Sequence, residues 1–506
     1  MIPKRKATLR LTGLLILAFV TGIFGMTGLT GCAFGRGAGA DSEHSSEALP
    51  QGDTAEEQSS EPGSETGQEL SSGPDTELSS ETDSGLSSGS NPEPETGAKE
   101  NAGLVIESEI RYASVSGLNL RAEPSMDAKV IRQAEKGEQF TIIETEGGEW
   151  TMVKDEEGAT YYAASRYLSK YDPLAGENFT WKLSELTVVD VEKQLYTYEE
   201  MEEDLKALAK AYPEHMELSS LGTTKDGREI YLARFGSADA GNSIIIQAAI
   251  HAREYMTALL TMKQLEYYLY YYDTGYYNGI PYSDIFDTTA VYLIPMLNPD
   301  GVTISQSGLS GIRSEAIREE ITDWYERDRE SGRTTESFSE YLRRFKANAN
   351  GVDLNRNFDM GWDEFVGSGR QGADRYKGEA AGSEPESAAL LQLTEELLPK
   401  AAFSYHATGS ILYWDYGQTG EFRAECETIT RMISGLTGYP LIMKDSEDGG
   451  VDAAGYSDWV VGVKEIPAVT IEIGTGSAPL AIEEFDSIWK KNREIPAAAA
   501  AYFLEK

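Results

Sequence analysis

The sequence predicts an α/β unit built on a mixed, mostly parallel sheet with helices on both faces. A small all-β barrel and a disordered linker precede it. Three observations carry this. From about residue 193 to 506, apolar runs of strand length alternate with helical patterns, as expected for strands buried on both faces. From about 104 to 170, short β-type runs follow one another at close turn spacing. Before these, residues 33–103 offer almost nothing that a core could bury. A chain of 506 residues also has room for more than one ordinary domain.

In chain order, Lys4, Arg5, Lys6 and Arg10 form a basic stretch, and an apolar run begins at Leu14. This is the pattern of an export signal, read over residues 1–32. It closes on Leu29-Thr30-Gly31-Cys32, which resembles the lipobox of bacterial lipoproteins. The resemblance implies cleavage before Cys32, lipidation of its thiol and anchoring at the outer face of the bacterial plasma membrane. Two or three acyl chains on one residue suffice for stable anchoring. Residues 33–102 carry sixteen acidic residues against Arg36 and Lys99, so a solvated tether is expected, spanning roughly 45–50 Å.

The next segment contains Leu118-Asn-Leu-Arg-Ala-Glu-Pro-Ser125, then Lys136-Gly137 and Gly148-Glu-Trp150. It resembles the bacterial SH3-like (SH3b) domains over 104–170, which implies a small barrel; such domains often bind cell-wall peptides, while many serve as spacers. One departure is Thr160-Tyr161, where the family usually has Gly-Trp. A polar connector, 171–192, leads to the larger unit, 193–506.

That unit opens with an amphipathic helix, Tyr198 to Tyr212, whose apolar side carries Met201, Leu205 and Leu208. A strand pair follows around the turn Asp226-Gly227. Further strands are read at 243–250, 291–295, 401–405, 411–414 and 468–473, and helices at 254–272, 384–398, 421–435 and 485–504. Residues 303–346 break the alternation as a polar, helical insertion.

Charge and rare residues narrow the function. A net charge of −40 argues against nucleic acid as partner, since phosphate binding needs a basic patch. Cys32 and Cys426 are the only cysteines, so no disulfide framework supports the fold. Histidines occur at 44, 215, 251 and 406 alone. His44 falls in the linker, and His215 sits in a polar turn. His251 and Glu254 stand where the strand 243–250 meets a helix, and His406 ends the apolar strand 401–405. Open α/β sheets bind ligands at the carboxyl ends of their strands. His251, Glu254 and His406 therefore make a two-histidine, one-carboxylate zinc site with a position left for water. Glu472 ends another apolar strand, where a carboxylate is costly without a task, and a hydrolytic site needs a base.

His251-Ala-Arg-Glu254, Asn298-Pro-Asp-Gly301, Gly351-Val-Asp-Leu-Asn-Arg-Asn-Phe358, Ser404-Tyr-His406 and Thr470-Ile-Glu-Ile-Gly474 together resemble the M14 family of zinc carboxypeptidases. The resemblance implies one zinc on His251, Glu254 and His406, with Glu472 as general base and then acid. It implies that Asp353 orients a ligand imidazole and that Asn355 and Arg356 grip a substrate carboxylate. The cation that steadies the developing oxyanion belongs upstream, at Arg344 or Lys346, with Arg344 favoured. The mobile tyrosine of digestive members has no counterpart, since Gly449-Gly450 occupies its place.

The stretch Lys346 to Asn357 resembles the branch that includes γ-D-glutamyl–diamino acid peptidases. The expected activity is therefore hydrolysis of peptidoglycan stem peptides near a free carboxylate. Two rivals are an exported carboxypeptidase of ordinary L-peptides and a non-catalytic wall-binding lipoprotein.

Overall fold

The computed structural model describes residues 109–146, 148–443 and 453–504. The leader with Cys32, the linker 33–103 and Gly449-Gly450 lie outside these residues.

The barrel strands are β1 (Ile110–Ala113), β2 (Leu118–Arg121), β3 (Val130–Ala134), β4 (Gln139–Glu146), β5 (Trp150–Lys154), β6 (Thr160–Ala164) and β7 (Leu168–Ser169). They form one antiparallel sheet in the order β3-β2-β6-β5-β4-β1-β7. Alternate residues point inward, so Leu118, Leu120, Phe140 and Val153 fill its core. Tyr161, at the position that departs from the SH3b pattern, sits at the start of β6 beneath the Arg132 guanidinium, 5.0 Å from the ring centre.

In the larger unit the chain runs through α1 (Tyr198–Ala211), β8 (Met216–Thr223), β9 (Glu229–Phe235), β10 (Asn242–Ala248) and α2 (Met256–Tyr270). A small hairpin, β11 (Tyr276–Tyr277) and β12 (Ile280–Pro281), precedes α3 (Tyr282–Thr288) and β13 (Thr289–Ile294). Then come α4 (Pro299–Ser307), α5 (Glu315–Glu330), α6 (Phe338–Arg343), α7 (Pro385–Leu397), β14 (Ala401–Ala407) and β15 (Ile411–Tyr413). The last elements are α8 (Gly420–Thr437), β16 (Leu441–Ile442), α9 (Tyr456–Lys464), β17 (Ala468–Ile473), α10 (Phe485–Asn492) and α11 (Ile495–Tyr502).

Eight strands form the main sheet in the order β16-β15-β17-β14-β10-β13-β9-β8. Its centre, β17-β14-β10-β13, is parallel, while β9 and β15 join it antiparallel. Apolar clusters cover both faces, one around Met256, Leu260 and Phe403 and the other around Ile245, Leu390 and Trp459. This is a mixed, mostly parallel sheet with helices on both faces.

Three local expectations change. The helix read over 485–504 is two, α10 and α11, because Pro496 lacks the amide proton and clashes with a preceding carbonyl. The insertion is not merely a polar excursion: Ile304, Ile317, Ile321, Trp324 and Phe345 bury one another in a core of their own.

The connector 171–192 is also more than a spacer. Buried Lys263 of α2 donates to the carbonyls of Leu186 (2.8 Å) and Val189 (2.9 Å) and pairs with Glu266 (2.8 Å). Glu266 accepts from the amides of Val188 (2.7 Å) and Val189 (3.1 Å). A buried lysine is costly unless paired and hydrogen-bonded, and here each of its three protons has an acceptor. The pair fixes the connector against the helix behind the site.

Glu386, in the first turn of α7, is fully buried. Its Oε2 accepts from Asn348 Nδ2 (3.1 Å), while Oε1 has no protein partner. Burial pushes its carboxyl up to about 8, with Asn348 opposing and the charges of Asp300 and Glu384 reinforcing. The folded chain thus holds a proton that the unfolded chain releases near 4.5. Stability from this group is complete below pH 4.5 and falls as pH rises towards 8, by on the order of a few kcal/mol. Glu386→Gln replaces the protonated carboxyl with a neutral isostere. Its stability should lose that slope and exceed the parent's at pH 8, as read by denaturant unfolding at pH 5 and pH 8. Parallel pH profiles for the two proteins would contradict a neutral Glu386.

Candidate active site

Strand ends and the turns that follow them build the cleft. Three residues after β10, His251 begins a 3-10 turn, Ala252–Glu254, that leads into α2. Ala249 at the corner holds a positive φ of 51°, a conformation costly for a residue with a Cβ. Thr257 locks it, accepting from the Ala249 amide (2.9 Å) and donating to the Glu254 carbonyl (2.7 Å). Asn298, ahead of α4, braces the corner from below. Its Nδ2 donates to the carbonyls of Ile250 (3.2 Å) and Ala347 (3.1 Å), and its Oδ1 accepts from Gly301 N (3.0 Å). A Cβ on Gly301 would come within 2.5 Å of the Ala347 carbonyl, which explains glycine in Asn298-Pro-Asp-Gly301.

His406, near the end of β14, meets this corner from the neighbouring strand. Its Nδ1 stands 3.1 Å from Glu254 Oε2, which also accepts from the Ala407 amide at 3.1 Å. Ligand atoms of His251, Glu254 and His406 all lie within 4.8 Å of one another, and all three residues are buried. His251 Nδ1 and His406 Nε2 are buried without a hydrogen-bond partner in the protein. Burial, then the charge of Lys346, holds the His251 imidazole well below its usual pKa, so it is neutral. Two buried imidazoles and a carboxylate converging on one place are what a zinc ion requires, and the donor set fits one.

Asp353 is buried and faces His251, with Oδ1 3.4 Å from Nδ1. Its other oxygen accepts from the Arg375 amide (3.2 Å), which fixes the carboxylate. Glu472 on β17 lies in register with His406 on the adjacent parallel strand and lines the same cleft. Burial pushes its carboxyl up to about 7, opposed by His406 and reinforced by Glu254.

The cleft encloses about 600 Å³. Asn355 and Arg356 border it from a short turn over 354–356. Asn355 Oδ1 accepts from the Tyr456 amide (3.0 Å), and the Arg356 guanidinium lies over Phe365, 5.3 Å from the ring centre.

Of the two cations expected upstream, Lys346 lines the cleft and Arg344 does not. Arg344 caps the end of α6, is 46% exposed and stands 3.4 Å from Glu336 in a neighbouring depression. The chain turns between the two, so that the Lys346 carbonyl bonds the Ala252 amide (3.2 Å) beside His251. His215 is also remote, stacked on Tyr272 at 3.9 Å.

Several cleft residues were not singled out from sequence. Arg253 lies within the His251–Glu254 motif and projects into the cleft. Thr470, two residues before Glu472, shares its face of β17 by strand alternation. Thr470 Oγ1 is 2.9 Å from Ser457 Oγ and 3.0 Å from the Tyr416 hydroxyl. With Asp415 and Asp458, these hydroxyls make one wall of the cleft polar.

Residues 201–495 match the family model for zinc carboxypeptidases, Peptidase M14, and residues 116–169 match that for the bacterial SH3 domain. The chain belongs to the zinc carboxypeptidase family; it is a hydrolase whose cofactor is zinc. It is similar to γ-D-glutamyl-L-diamino acid endopeptidase 1 of Lysinibacillus sphaericus, 29% identical over 62% of this chain and 73% of that protein. It is also similar to carboxypeptidase B of Astacus astacus, 26% identical over 55% of this chain and 86% of that one. Among solved structures, bovine thrombin-activatable fibrinolysis inhibitor in complex with tick carboxypeptidase inhibitor matches with a TM-score of 0.48 at 17% identity, over 61% and 97% of the two chains.

Proposed function

We propose that this enzyme hydrolyses peptidoglycan stem peptides at the γ-D-Glu–diamino acid bond, beside a free carboxylate. The observation that carries this is the cleft itself, where Asn355 and Arg356 share one space with the His251–Glu254–His406 cluster and a polar wall. A wall of Ser457, Thr470, Tyr416, Asp415 and Asp458 suits a polar diamino side chain better than a large apolar one. The name of the similar Lysinibacillus sphaericus protein supports the same substrate class.

In this proposal His251, Glu254 and His406 hold one zinc per chain, and Asp353 keeps the His251 ring in place. Bound zinc supplies Lewis acidity to the scissile carbonyl and to the attacking water. Glu472 takes the proton from that water at a carboxylate oxygen and returns it to the leaving nitrogen. Lys346 supplies the positive charge that steadies the developing oxyanion. The barrel engages the cell wall, and a lipid on Cys32 holds the enzyme at the outer face of the bacterial plasma membrane.

Digestion of a defined muropeptide, with products identified by mass, tests the bond. Cleavage between γ-D-Glu and the diamino acid supports the proposal. Release of C-terminal residues from ordinary L-peptides, with the γ-linked bond left intact, favours the exported carboxypeptidase instead.

Arg356→Ala should slow cleavage of substrates whose diamino acid carboxylate is free and spare those in which it is amidated. A charge-assisted hydrogen bond contributes roughly 1.5–3 kcal/mol, or about tenfold to a hundredfold in kcat/KM. Mutation and amidation remove two sides of one contact, so their effects should not add. Fully additive losses would remove Arg356 from substrate binding.

A further inference from the structure

The γ-linked substrate carries a second anion that Arg356 does not account for. A glutamyl residue joined through its side chain keeps its own α-carboxylate free, on the acyl side of the scissile bond. In an ordinary α-peptide the α-carbonyl is itself the scissile carbonyl, so that residue has no free α-carboxylate. An enzyme for the γ-linked bond can therefore use a cation on the acyl side that an α-peptidase has no anion to match.

Arg253 has the placement and the chemistry for it. It stands in the short turn between His251 and Glu254, so the fold brings it to the metal cluster regardless of substrate. Its neighbours Ala252 and Glu254 are buried, while Arg253 itself is half-buried at the cleft wall. No Asp or Glu pairs with it among the described residues. Its one recorded hydrogen bond there is a long one, Nη1 to the Arg344 carbonyl at 3.4 Å, and its buried Nε has no partner in the protein. Nearby arginines differ in this respect. Arg344 stands against Glu336, and Arg333 against Asp374 and Asp328. A guanidinium this close to a cleft without a carboxylate partner is a fork presented to an incoming one.

Its position also selects the side. Arg253 is the residue shared between the catalytic cleft and a second depression of about 280 Å³, which Tyr341, Arg344 and Glu336 of the insertion help to line. That depression contains neither Asn355 and Arg356 nor the hydroxyl wall assigned to the diamino acid. A substrate with its leaving residue at Arg356 thus has its acyl portion directed past Arg253.

We infer that Arg253 binds the free α-carboxylate of the γ-linked glutamyl residue and so selects γ-linked over α-linked substrates. This rests on the substrate class proposed above. The test compares kcat/KM for one γ-D-Glu–diamino acid peptide with the glutamyl α-carboxylate either free or amidated, the diamino acid being the same in both.

The parent enzyme should prefer the free acid by roughly tenfold or more, the scale of a charge-assisted hydrogen bond. Arg253→Ala should lose most of its rate on the free acid and become indifferent to amidation. Arg253→Lys, which keeps the charge but not the fork, should retain part of the preference. Because the readout is a ratio within each variant, a partly unfolded preparation does not change it.

A parent that cuts both peptides equally, or an Arg253→Ala variant that keeps the full preference, overturns the role of Arg253 while leaving the substrate class intact. Cleavage of neither γ-linked peptide, with ordinary peptides cut, overturns the substrate class and this inference together.

Discussion

His406→Ala is expected to lose zinc and peptidase activity together while the chain stays folded. A catalytic zinc is held by three protein ligands, and removing one leaves only His251 and Glu254. The loss reaches further than one donor. Glu254 Oε2 faces His406 Nδ1 at 3.1 Å, so the substitution also removes one of the two contacts that orient the remaining carboxylate. Activity should fall below detection. Metal content after exhaustive dialysis should fall from near one per chain to a small fraction of that. The fold should survive, because His406 lies at the carboxyl end of β14 and the apolar residues Ala402, Phe403 and Tyr405 that anchor the strand are untouched. Stoichiometric zinc in a well-folded variant would place the third ligand elsewhere.

The parts of the site legible in the sequence are those set by strand ends. His251, His406 and Glu472 each follow or close an apolar run. A strand that is buried on both faces can present a polar residue only where it leaves the core, so the run itself locates the side chain. The four histidines of the chain then left few ways to complete a zinc site.

What was not legible depends on how separate segments dock. Arg344 and Lys346 are two residues apart and both cationic, yet one faces Glu336 and the other the cleft. The difference arises because α6 ends at Arg343 and the chain then turns towards Ala252. Nothing in the local composition fixes that turn. The anchoring of the connector is hidden in the sequence for a related reason. Its partners, Lys263 and Glu266, are charged residues within α2, a helix buried almost all round. Such an interruption of an apolar helix signals a buried pair, but not which backbone it will hold. Pro496 is the opposite case, a plain helix-breaking signal inside a stretch whose periodicity had suggested one helix.

The second large effect separates metal from proton transfer. Glu472→Gln should keep zinc and lose turnover. The amide has nearly the volume and shape of the carboxylate, and Glu472 contributes no ligand atom to the cluster. Its strand neighbours Ile471 and Ile473 point to the opposite face and are buried, so β17 should hold its register with His406. An amide, however, cannot take a proton from water or return one to the leaving nitrogen. General acid–base catalysis contributes about 10²–10⁴-fold, and the loss should appear in kcat with KM nearly unchanged. Equal zinc content, equal unfolding midpoint and a kcat reduced by at least about a hundredfold is the expected result. A variant that keeps more than about one-tenth of the parent kcat would take Glu472 out of the chemical step. The base would then have to be sought among other cleft residues, and the match between β17 and the strand-end pattern of His251 and His406 would be one of architecture alone.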